Sequence, residues 1–203
     1  MEAGGVAIGL LYQIAAVVGY LAGAIPFGLV LTRLTGKGDI RAIGSGNIGA
    51  TNVLRTGSKG LAALTLLLDG GKGAAAVLVM TRWGTDPALI AGLFAVIGHN
   101  FPVWLRFQGG KGGATTLGVL IALAWPVGLA ACATWLAVAA IFRYSSLAAL
   151  VALAAAPFLS VWLADDRIAV VAALLTVLAF VRHHANIRRL LRGEEPRIGA
   201  KKE

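Results

Sequence analysis

The chain has 203 residues, of which 58% are hydrophobic and only 13% charged, whereas about 25% of residues are charged in a soluble globular domain. A soluble fold of this composition could not cover its surface with polar groups. This excludes a soluble enzyme, a disordered chain and a coiled coil, and it indicates a polytopic α-helical membrane protein. The net charge of +9 fits basic loops at a cytoplasmic membrane face, so no nucleic-acid partner is expected.

Seven apolar segments predict seven transmembrane helices, and hence an all-α fold with a single membrane-embedded domain over residues 1–203. The fourth and fifth segments are contiguous, but Pro126 cannot continue a helical hydrogen-bond ladder, so two helices joined by a tight turn are favoured over one long helix. The predicted segments are residues 6–31, 60–80, 88–104, 114–125, 126–142, 145–164 and 168–181.

The charges between these segments predict how the chain crosses the membrane. The first loop and the C-terminal tail each carry a net charge of +4, and the net charge alternates between higher and lower values along the chain. Because basic loops stay in the cytoplasm, seven spans put the N-terminus outside and the C-terminus inside. No Lys or Arg precedes the first segment, so we expect it to be a retained span and not a cleaved signal.

The first polar motif covers residues 44–55, with the sequence GSGNIGATNVLR. A glycine-rich turn lets backbone N–H groups converge on an anion. Ser45 is a good helix N-cap, so we expect a short helix to begin there, with Arg55 returning to bind a phosphate through two parallel hydrogen bonds. The alternative is a flexible connection with a capping serine.

The second polar motif covers residues 108–116, with the sequence QGGKGGATT, at the start of the fourth segment. Four glycines around Lys111 predict a loop whose N–H groups hold phosphate oxygens while the lysine supplies charge. The motif is not a P-loop, because Leu105 and Gly112 occupy the first-glycine and Ser/Thr positions, so ATP is not implied. The alternative is a plain loop with a cytoplasmic lysine.

The third polar motif covers residues 182–195, with the sequence RHHANIRRLLRGEE. It predicts an amphipathic helix that leaves the membrane, in which His183 and Asn186 share one face because they are three residues apart. The alternative is a basic tail that snorkels to the interface. His99 is remote from the histidine pair and no carboxylate stands at ligand spacing, so neither a metal site nor a cofactor is expected.

Three further features lie inside apolar segments. Asp69 and Lys72 are three residues apart in the second segment, where mutual pairing is the first interpretation and substrate contact the alternative. His99 and Asn100, near the end of the third segment, are interpreted as capping or helix-packing residues. The lone Cys132 excludes an internal disulfide.

The charge pattern directs all three motifs to the cytoplasmic side, which indicates a site for one or more phosphates at the membrane surface. This pattern does not separate an enzyme from a transporter of organic phosphates, whose sites also use interrupted helices and buried charges. A purely structural membrane protein is the third alternative.

In order and sequence, the three motifs resemble those of the bacterial acyl-phosphate:glycerol-3-phosphate acyltransferase (PlsY) family, over nearly the whole chain. The resemblance implies transfer of a fatty acyl group from acyl phosphate to the 1-hydroxyl of sn-glycerol 3-phosphate. The products would be lysophosphatidic acid and inorganic phosphate, in the first step of phospholipid synthesis. It also implies an integral protein of the bacterial cytoplasmic (inner) membrane, in contact with membrane lipid, with its active site facing the cytoplasm.

The resemblance assigns phosphate binding to the first two motifs. Ser45 and Arg55 match residues that contact substrate phosphate, and Lys111 matches the charge of the phosphate-binding loop. The other matching positions are Thr51 and Asn52 in the first motif, and Gly109, Gly110 and Gly112 in the second.

In the third motif, His183 and Asn186 match a pair that lies near the glycerol. We expect Asn186 to orient the hydroxyl and a phosphate oxygen of the donor to accept its proton, with His183 as the alternative base. Ala185 departs from the family pattern, which has an acidic residue there. The task of that carboxylate is either absent here or falls to Glu194 or Glu195.

The histidines also bear on the acyl donor. No aspartate follows His99, His183 or His184 at four or five residues, so the His-x4-Asp dyad of acyltransferases that use coenzyme A or acyl carrier protein is missing, and those donors are not expected. An acyl phosphate is already activated, so the enzyme mainly has to hold two polyanions together with cations and position them.

Overall fold

The computed structural model describes residues 2–199, with side chains from residue 5 onwards, and every regular element in that range is helical. The all-α prediction is confirmed for this part of the chain. The charges of Glu2, Lys201, Lys202 and Glu203, which enter the predicted charge pattern, lie outside the described side chains. Backbone contacts divide the chain into two compact units, the first ending at Leu123 and the second beginning at Ala124. The single domain over residues 1–203 stays a prediction.

From residue 2, where the description begins, the first unit shows six α-helices and four short 3-10 turns. The helices are α1 (Glu2–Gly23), α2 (Phe27–Leu34), α3 (Ala50–Val53), α4 (Lys59–Met80), α5 (Thr85–Asn100) and α6 (Gly113–Leu123). The turns are Ile40–Ala42, Leu54–Thr56, Thr81–Trp83 and Val103–Leu105.

Glycines bring the helices of this unit unusually close together. A Cβ atom at Gly19 or Gly23 of α1 would overlap backbone atoms of α5, and a Cβ at Gly118 of α6 would overlap the backbone of Gly70 in α4. Small residues serve this purpose in membrane helices, because lipid tails provide no hydrophobic drive for association and close backbone packing replaces it. The polar loops that precede α3 and α6 are therefore attached to a closely packed helical scaffold.

The second unit, as far as it is described to residue 199, shows four α-helices: α7 (Trp125–Phe142), α8 (Ser145–Leu163), α9 (Asp166–Arg182) and α10 (His184–Leu191). Helix α8 packs against both α7 and α9. The predicted break before Pro126 is confirmed, because α6 ends at Leu123, Ala124 is extended, and Pro126 lies in the first turn of α7. Proline is tolerated there because a first-turn N–H has no helical acceptor.

The first predicted segment, residues 6–31, is not one continuous helix, and in this respect the prediction is wrong. Helix α1 ends at Gly23, residues 24–26 are non-helical, and α2 begins at Phe27. The physical reason is Pro26, which has no N–H to donate and disfavours helical conformation in the preceding residue. The break leaves the backbone carbonyl of Ile25 to accept a hydrogen bond from Lys72 Nζ, at 2.7 Å.

The predicted segments differ in length. Within residues 2–199, five stretches are long and apolar enough to cross a membrane, and up to six if a bent pair is counted as one span: Gly5–Leu34, Lys59–Trp83, Thr85–Leu105, Trp125–Phe142 and Ser145–Leu163. Helix α6 has 11 residues, about 16 Å against a hydrocarbon core of about 30 Å. Helix α9 qualifies only together with α10, from which it is bent by 64°. Seven crossings and the orientation of the termini therefore stay predictions.

Candidate active site

The loop of the first motif folds around the side chain of Asn52, which is 1% exposed. Its amide nitrogen Nδ2 lies 2.9 Å from the carbonyl oxygens of Ile40 and Ile43 and 2.8 Å from that of Asn47. A buried amide that meets several loop carbonyls satisfies polar groups that no helix or sheet can satisfy there. Asn52 therefore fixes the path of the chain through the motif.

The amide oxygen of Asn52 joins the two residues that the resemblance assigns to phosphate. Its Oδ1 accepts hydrogen bonds from the backbone N–H of Ser45 at 3.1 Å and from Nη1 of Arg55 at 3.2 Å. The guanidinium group of Arg55 lies over Gly44, where a Cβ atom would come within 2.8 Å of Nη1. Ser45 and Arg55 are both exposed. The predicted return of Arg55 toward Ser45 is therefore confirmed.

The expectation that a helix begins at Ser45 is wrong. Helix α3 begins at Ala50, with Gly49 as its N-cap, and Ser45 lies in a turn. The reason is the backbone on both sides of Ser45, since Gly44 and Gly46 have φ values of 58° and 69°, in the left-handed region that glycine tolerates and a right-handed helix does not use. Thr51 follows in α3 with an exposed side chain.

The loop of the second motif is held against the end of α5. The N–H of Gly109 donates to the carbonyl of Asn100 at 3.1 Å, and the N–H of Gly110 donates to the carbonyl of His99 at 2.9 Å. These two N–H groups are thus bonded to the end of α5, and the assignment of Gly109 and Gly110 to phosphate binding stays a prediction. Gly112, with φ of 82°, turns the chain into α6, and Lys111 is half-buried just before that turn.

The sequence GGKG occurs twice in the chain, at residues 70–73 and 109–112. Packing requires the glycine at position 109 but not the one at position 71, so substitutions at these two positions should differ in effect. A Cβ atom at Gly109 would overlap the carbonyl oxygen of His99 and the ring of Pro102, whereas a Cβ at Gly71 in α4 meets nothing within 4 Å. We expect Gly109→Ala to destabilise the protein by about 1–3 kcal/mol through overpacking. Gly71→Ala should leave it unchanged or stabilise it by up to about 1 kcal/mol.

Thermal unfolding of both variants in detergent, followed by intrinsic fluorescence, measures this difference. Equal melting temperatures for Gly109→Ala and Gly71→Ala would contradict the packing of the loop against α5.

A cleft of about 380 Å³ lies in the first unit next to the first two motifs. Its volume is in the range of small-molecule sites. Arg106 and the neighbouring Phe107 adopt φ values of 51° and 61°, and such left-handed backbone is uncommon outside glycine and often marks functional loops. The lining residues are Arg41, Trp104, Leu105, Arg106 and Gln108.

In the second unit, His183 sits at the bend between α9 and α10 and is 4% exposed. Its Nδ1 lies 2.7 Å from the carbonyl oxygen of Ala179. A carbonyl can only accept, so Nδ1 is the donor in this contact, and in the neutral form of the ring the lone pair is then on Nε2. The histidine is thereby fixed in one tautomer, as a base requires.

Asn186 is held by a carboxylate that sequence reasoning did not select. Its Nδ2 donates to Oε1 of Glu195 at 2.6 Å, and the same oxygen accepts from Oγ of Ser146 at 2.7 Å. The Nε of Arg189 donates to the other oxygen, Oε2, at 2.7 Å. Ala185 lacks the carboxylate of the family pattern, and Glu194 and Glu195 are the two candidates to replace it. Of these two, Glu195 contacts Asn186. No local spacing rule signals a contact with Ser146, which is 49 positions away.

Glu195 predicts a pH-dependent stability. Burial acts to raise the pKa of its carboxyl group, but hydrogen bonds from Ser146, Asn186 and Arg189, with the charge of Arg189, bring the pKa below its ordinary value of 4.5. A lowered folded-state pKa gives stability that is present above the ordinary value and lost as the pH falls through the lowered one. We therefore expect Glu195→Gln to lower the melting temperature at neutral pH, with a difference that shrinks as the pH falls below 4.5.

The matched control is Glu194→Gln, because Glu194 is exposed. Melting curves in detergent at a series of pH values compare the two variants with the unchanged protein. A Glu195→Gln difference that stays constant across the acidic range would show that the ionised carboxylate contributes nothing.

Among residues 2–199, no group of three or more His, Cys, Asp or Glu side chains is placed to hold a metal ion. Independence of metal ions stays a prediction. The phosphate-binding candidates Ser45, Arg55 and Lys111 belong to the first unit, whereas His183 and Asn186 belong to the second.

Known proteins with similar sequences agree on one activity. The family profile of glycerol-3-phosphate acyltransferases matches residues 13–193. A glycerol-3-phosphate acyltransferase of Rhodospirillum rubrum is 64% identical over 203 residues, covering 96% of this chain and 94% of the relative. One of Paramagnetospirillum magneticum is 65% identical over 186 residues, covering 91% and 92%.

The chain belongs to the glycerol-3-phosphate acyltransferase family.

The fold is similar to that of a solved member. The crystal structure of PlsY, an integral membrane glycerol 3-phosphate acyltransferase, in its glycerol 3-phosphate form has a TM-score of 0.88 and 38% sequence identity, covering 93% of this chain and 96% of that chain. Its lysophosphatidic acid form has a TM-score of 0.85 and 37% identity, covering 93% and 95%. The membership confirms the resemblance that the three motifs carry.

Proposed function

We propose that the protein transfers a fatty acyl group from acyl phosphate to the 1-hydroxyl of sn-glycerol 3-phosphate. The hydroxyl oxygen attacks the acyl carbonyl carbon, and the bond from that carbon to the phosphate oxygen breaks. The hydroxyl proton goes to the departing phosphate. The products are lysophosphatidic acid and inorganic phosphate, and no covalent acyl-enzyme and no metal ion take part.

The observation that supports the proposal is the arrangement of Ser45, Asn52 and Arg55 in the first motif. The Ser45 N–H and the Arg55 guanidinium both donate to Oδ1 of Asn52, so the cation is held beside an exposed serine before any substrate arrives. Groups that are fixed in advance stabilise developing charge without reorganisation. Asn52 acts in this site by positioning Arg55, and Thr51 lies one residue before it on the same short helix.

Acyl phosphate as the donor follows from charge and from chemistry. Two phosphate-bearing substrates repel each other unless cations lie between them, and Arg55 and Lys111 supply two positive charges on loops of the first unit. The mixed anhydride already has a good leaving group, so alignment of the hydroxyl with the carbonyl accounts for much of the rate. Acyltransferases that use thioester donors carry a His-x4-Asp dyad, and the histidines of this chain lack that aspartate.

The third motif, which lies in the second unit, is assigned to the acceptor alcohol. The carboxylate of Glu195 accepts from Nδ2 of Asn186 and so fixes the plane of the amide, whose oxygen we assign to accept a hydrogen bond from the glycerol hydroxyl. That bond would aim the attacking oxygen at the acyl carbonyl while a donor phosphate oxygen takes the proton. The lone pair on Nε2 of His183 is the alternative acceptor of that proton.

We place this site at the cytoplasmic face of the bacterial inner membrane. The support is the charge pattern of the loops, since the first loop and the tail carry the largest positive charge, with seven spans between an outer N-terminus and an inner C-terminus. The cytoplasm is also where a charged, water-soluble acceptor such as glycerol 3-phosphate can meet an acyl donor dissolved in the membrane.

The test uses purified protein, radiolabelled glycerol 3-phosphate and palmitoyl phosphate. We expect the label to appear in a lipid-extractable product, with one phosphate released per molecule of product. No product should form when palmitoyl-coenzyme A or palmitoyl-acyl carrier protein replaces palmitoyl phosphate. Conversion with the thioesters alone would overturn the donor assignment. Uptake of unmodified glycerol 3-phosphate into vesicles, without conversion, would instead support an organic-phosphate transporter or exchanger.

A further inference from the structure

A buried ion pair in α4 is not used by the proposed chemistry. Nζ of Lys72 lies 3.0 Å from Oδ1 of Asp69, and both side chains are 3% exposed. Lys72 also donates to the carbonyl oxygen of Ile25, where the first apolar segment breaks, and its Nζ is 5.7 Å from the ring centre of Phe27. A buried ion pair contributes little net stability compared with apolar packing, and ionisable groups inside a membrane are costly. A role other than packing is therefore indicated.

His99 connects this ion pair to the loop that carries Lys111. Its Nδ1 is 3.8 Å from Oδ1 of Asp69. On its other side the ring lies against Gly110, where a Cβ atom would overlap Nε2. The carbonyl oxygen of His99 accepts the N–H of the same glycine at 2.9 Å. The ring and the backbone carbonyl of His99 thus both contact the loop at Gly110.

Asn100 provides a second support under the loop. Its carbonyl accepts the N–H of Gly109 at 3.1 Å, and its Oδ1 would be 2.9 Å from a Cβ atom at Gly112. The side chain is fully buried, yet within residues 2–199 neither of its amide atoms has a hydrogen-bond partner. The hydroxyls of Thr115 and Thr116, buried just after the loop, are also unpartnered in that range.

We infer that Asp69, Lys72, His99 and Asn100 form a polar support that positions the Lys111 loop, and that these four residues act on the substrate phosphate only through that loop. Because their side chains are buried beneath it, they do not touch substrate and are positioning residues. The connection to catalysis rests on the proposed function, in which Lys111 binds a substrate phosphate. The connection to the loop itself rests only on the contacts within the first unit.

The support is tested first without any substrate, by hydrogen exchange at the amides of Gly109 and Gly110. We expect His99→Ala and Asp69→Asn to speed exchange in the peptide that contains these amides, because the ring and the carboxylate no longer hold the end of α5 against the loop. The matched control is Leu89→Ala, which opens a cavity in α5 ten residues from His99, or about 15 Å along the helix. Unchanged loop exchange in both His99→Ala and Asp69→Asn would overturn the inference.

The second test is a kinetic double-mutant cycle with glycerol 3-phosphate. We expect His99→Ala to raise the KM for glycerol 3-phosphate by about fivefold or more, as is common for residues coupled by direct contact, while Leu89→Ala lowers the melting temperature without moving KM. Gly110→Ala should be harmful alone but add little in the His99→Ala background, because the overlap with Nε2 is gone. Additive effects of the two substitutions would overturn the inference. If His99→Ala does not fold, His99→Gln and Asp69→Asn carry the same measurements.

The two tests separate the failure of the inference from that of the proposed function. If the unchanged protein forms no lipid product, the proposed function fails, while hydrogen exchange still decides whether the polar support holds the loop. If exchange speeds up but KM stays constant in an active enzyme, the support is structural only and its assigned effect on phosphate binding is wrong.

Discussion

Replacement of Lys111 by alanine is expected to lower kcat/KM for glycerol 3-phosphate by at least about tenfold, since one preorganised charge at a transition state is worth a few kcal/mol. The lysine is half-buried in a loop that is hydrogen-bonded to the end of α5, so its charge is held and not freely mobile. The measurement is phosphate release by purified protein with palmitoyl phosphate and glycerol 3-phosphate, over a range of concentrations of each substrate.

The matched control is Lys37→Ala, which removes the same charge from an exposed position in the first loop. It should keep most of the activity, because an exposed charge outside the three motifs is screened by water and salt. If Lys37→Ala and Lys111→Ala reduced turnover equally, net charge and not position would explain the effect. Undiminished activity in Lys111→Ala would remove the lysine from the site.

Replacement of Asn186 by alanine is expected to lower kcat by about tenfold to a hundredfold, the usual loss when a side chain that orients reacting groups is removed. The amide is 5% exposed and is fixed by Glu195, so it can hold a hydroxyl in one direction. The measurement is the same phosphate-release assay at saturating substrate, accompanied by a melting curve.

His184→Ala is the neighbouring control, since His184 is exposed and its Nδ1 lies 3.0 Å from the carbonyl oxygen of Val181. This variant should retain activity. A full rate in Asn186→Ala would show that the amide does not orient the hydroxyl. A loss of activity that follows the loss of folding in the melting curve would assign Asn186 to stability and contradict its catalytic role.

The helices, and some of the local contacts, could be predicted from the sequence because they depend on neighbours along the chain. Apolar composition located the long helices, Pro126 located the break after α6, and the spacing of Asp69 and Lys72 predicted their pairing, which the structure shows at 3.0 Å. Helix capping was less predictable. Ser45 has the right chemistry for an N-cap, but the left-handed glycines on both sides move the start of α3 to Ala50.

The contacts that organise the candidate site could not be predicted, because they join positions far apart in the sequence. The carbonyls of His99 and Asn100 take up the N–H groups of the glycine loop, which a glycine-rich sequence alone suggests are directed at an anion. Glu195 meets Asn186 and Ser146 only because α10 is bent relative to α9 and packs on α8. No periodicity or motif spacing carries that information.

The central claim is that the second and third motifs both face the cytoplasm, where we propose that substrate binds, and cysteine labelling tests it most directly. In a Cys132→Ala background, Gln108→Cys and Ala185→Cys each introduce one exposed thiol beside the second and third motifs, and Arg82→Cys marks a loop predicted to lie outside. With a membrane-impermeant maleimide, we expect Gln108→Cys and Ala185→Cys to react only from the cytoplasmic side, and glycerol 3-phosphate to slow both reactions while leaving Arg82→Cys unaffected. Labelling of Gln108→Cys or Ala185→Cys from the outer side, or unchanged labelling of both in the presence of glycerol 3-phosphate, would contradict the claim.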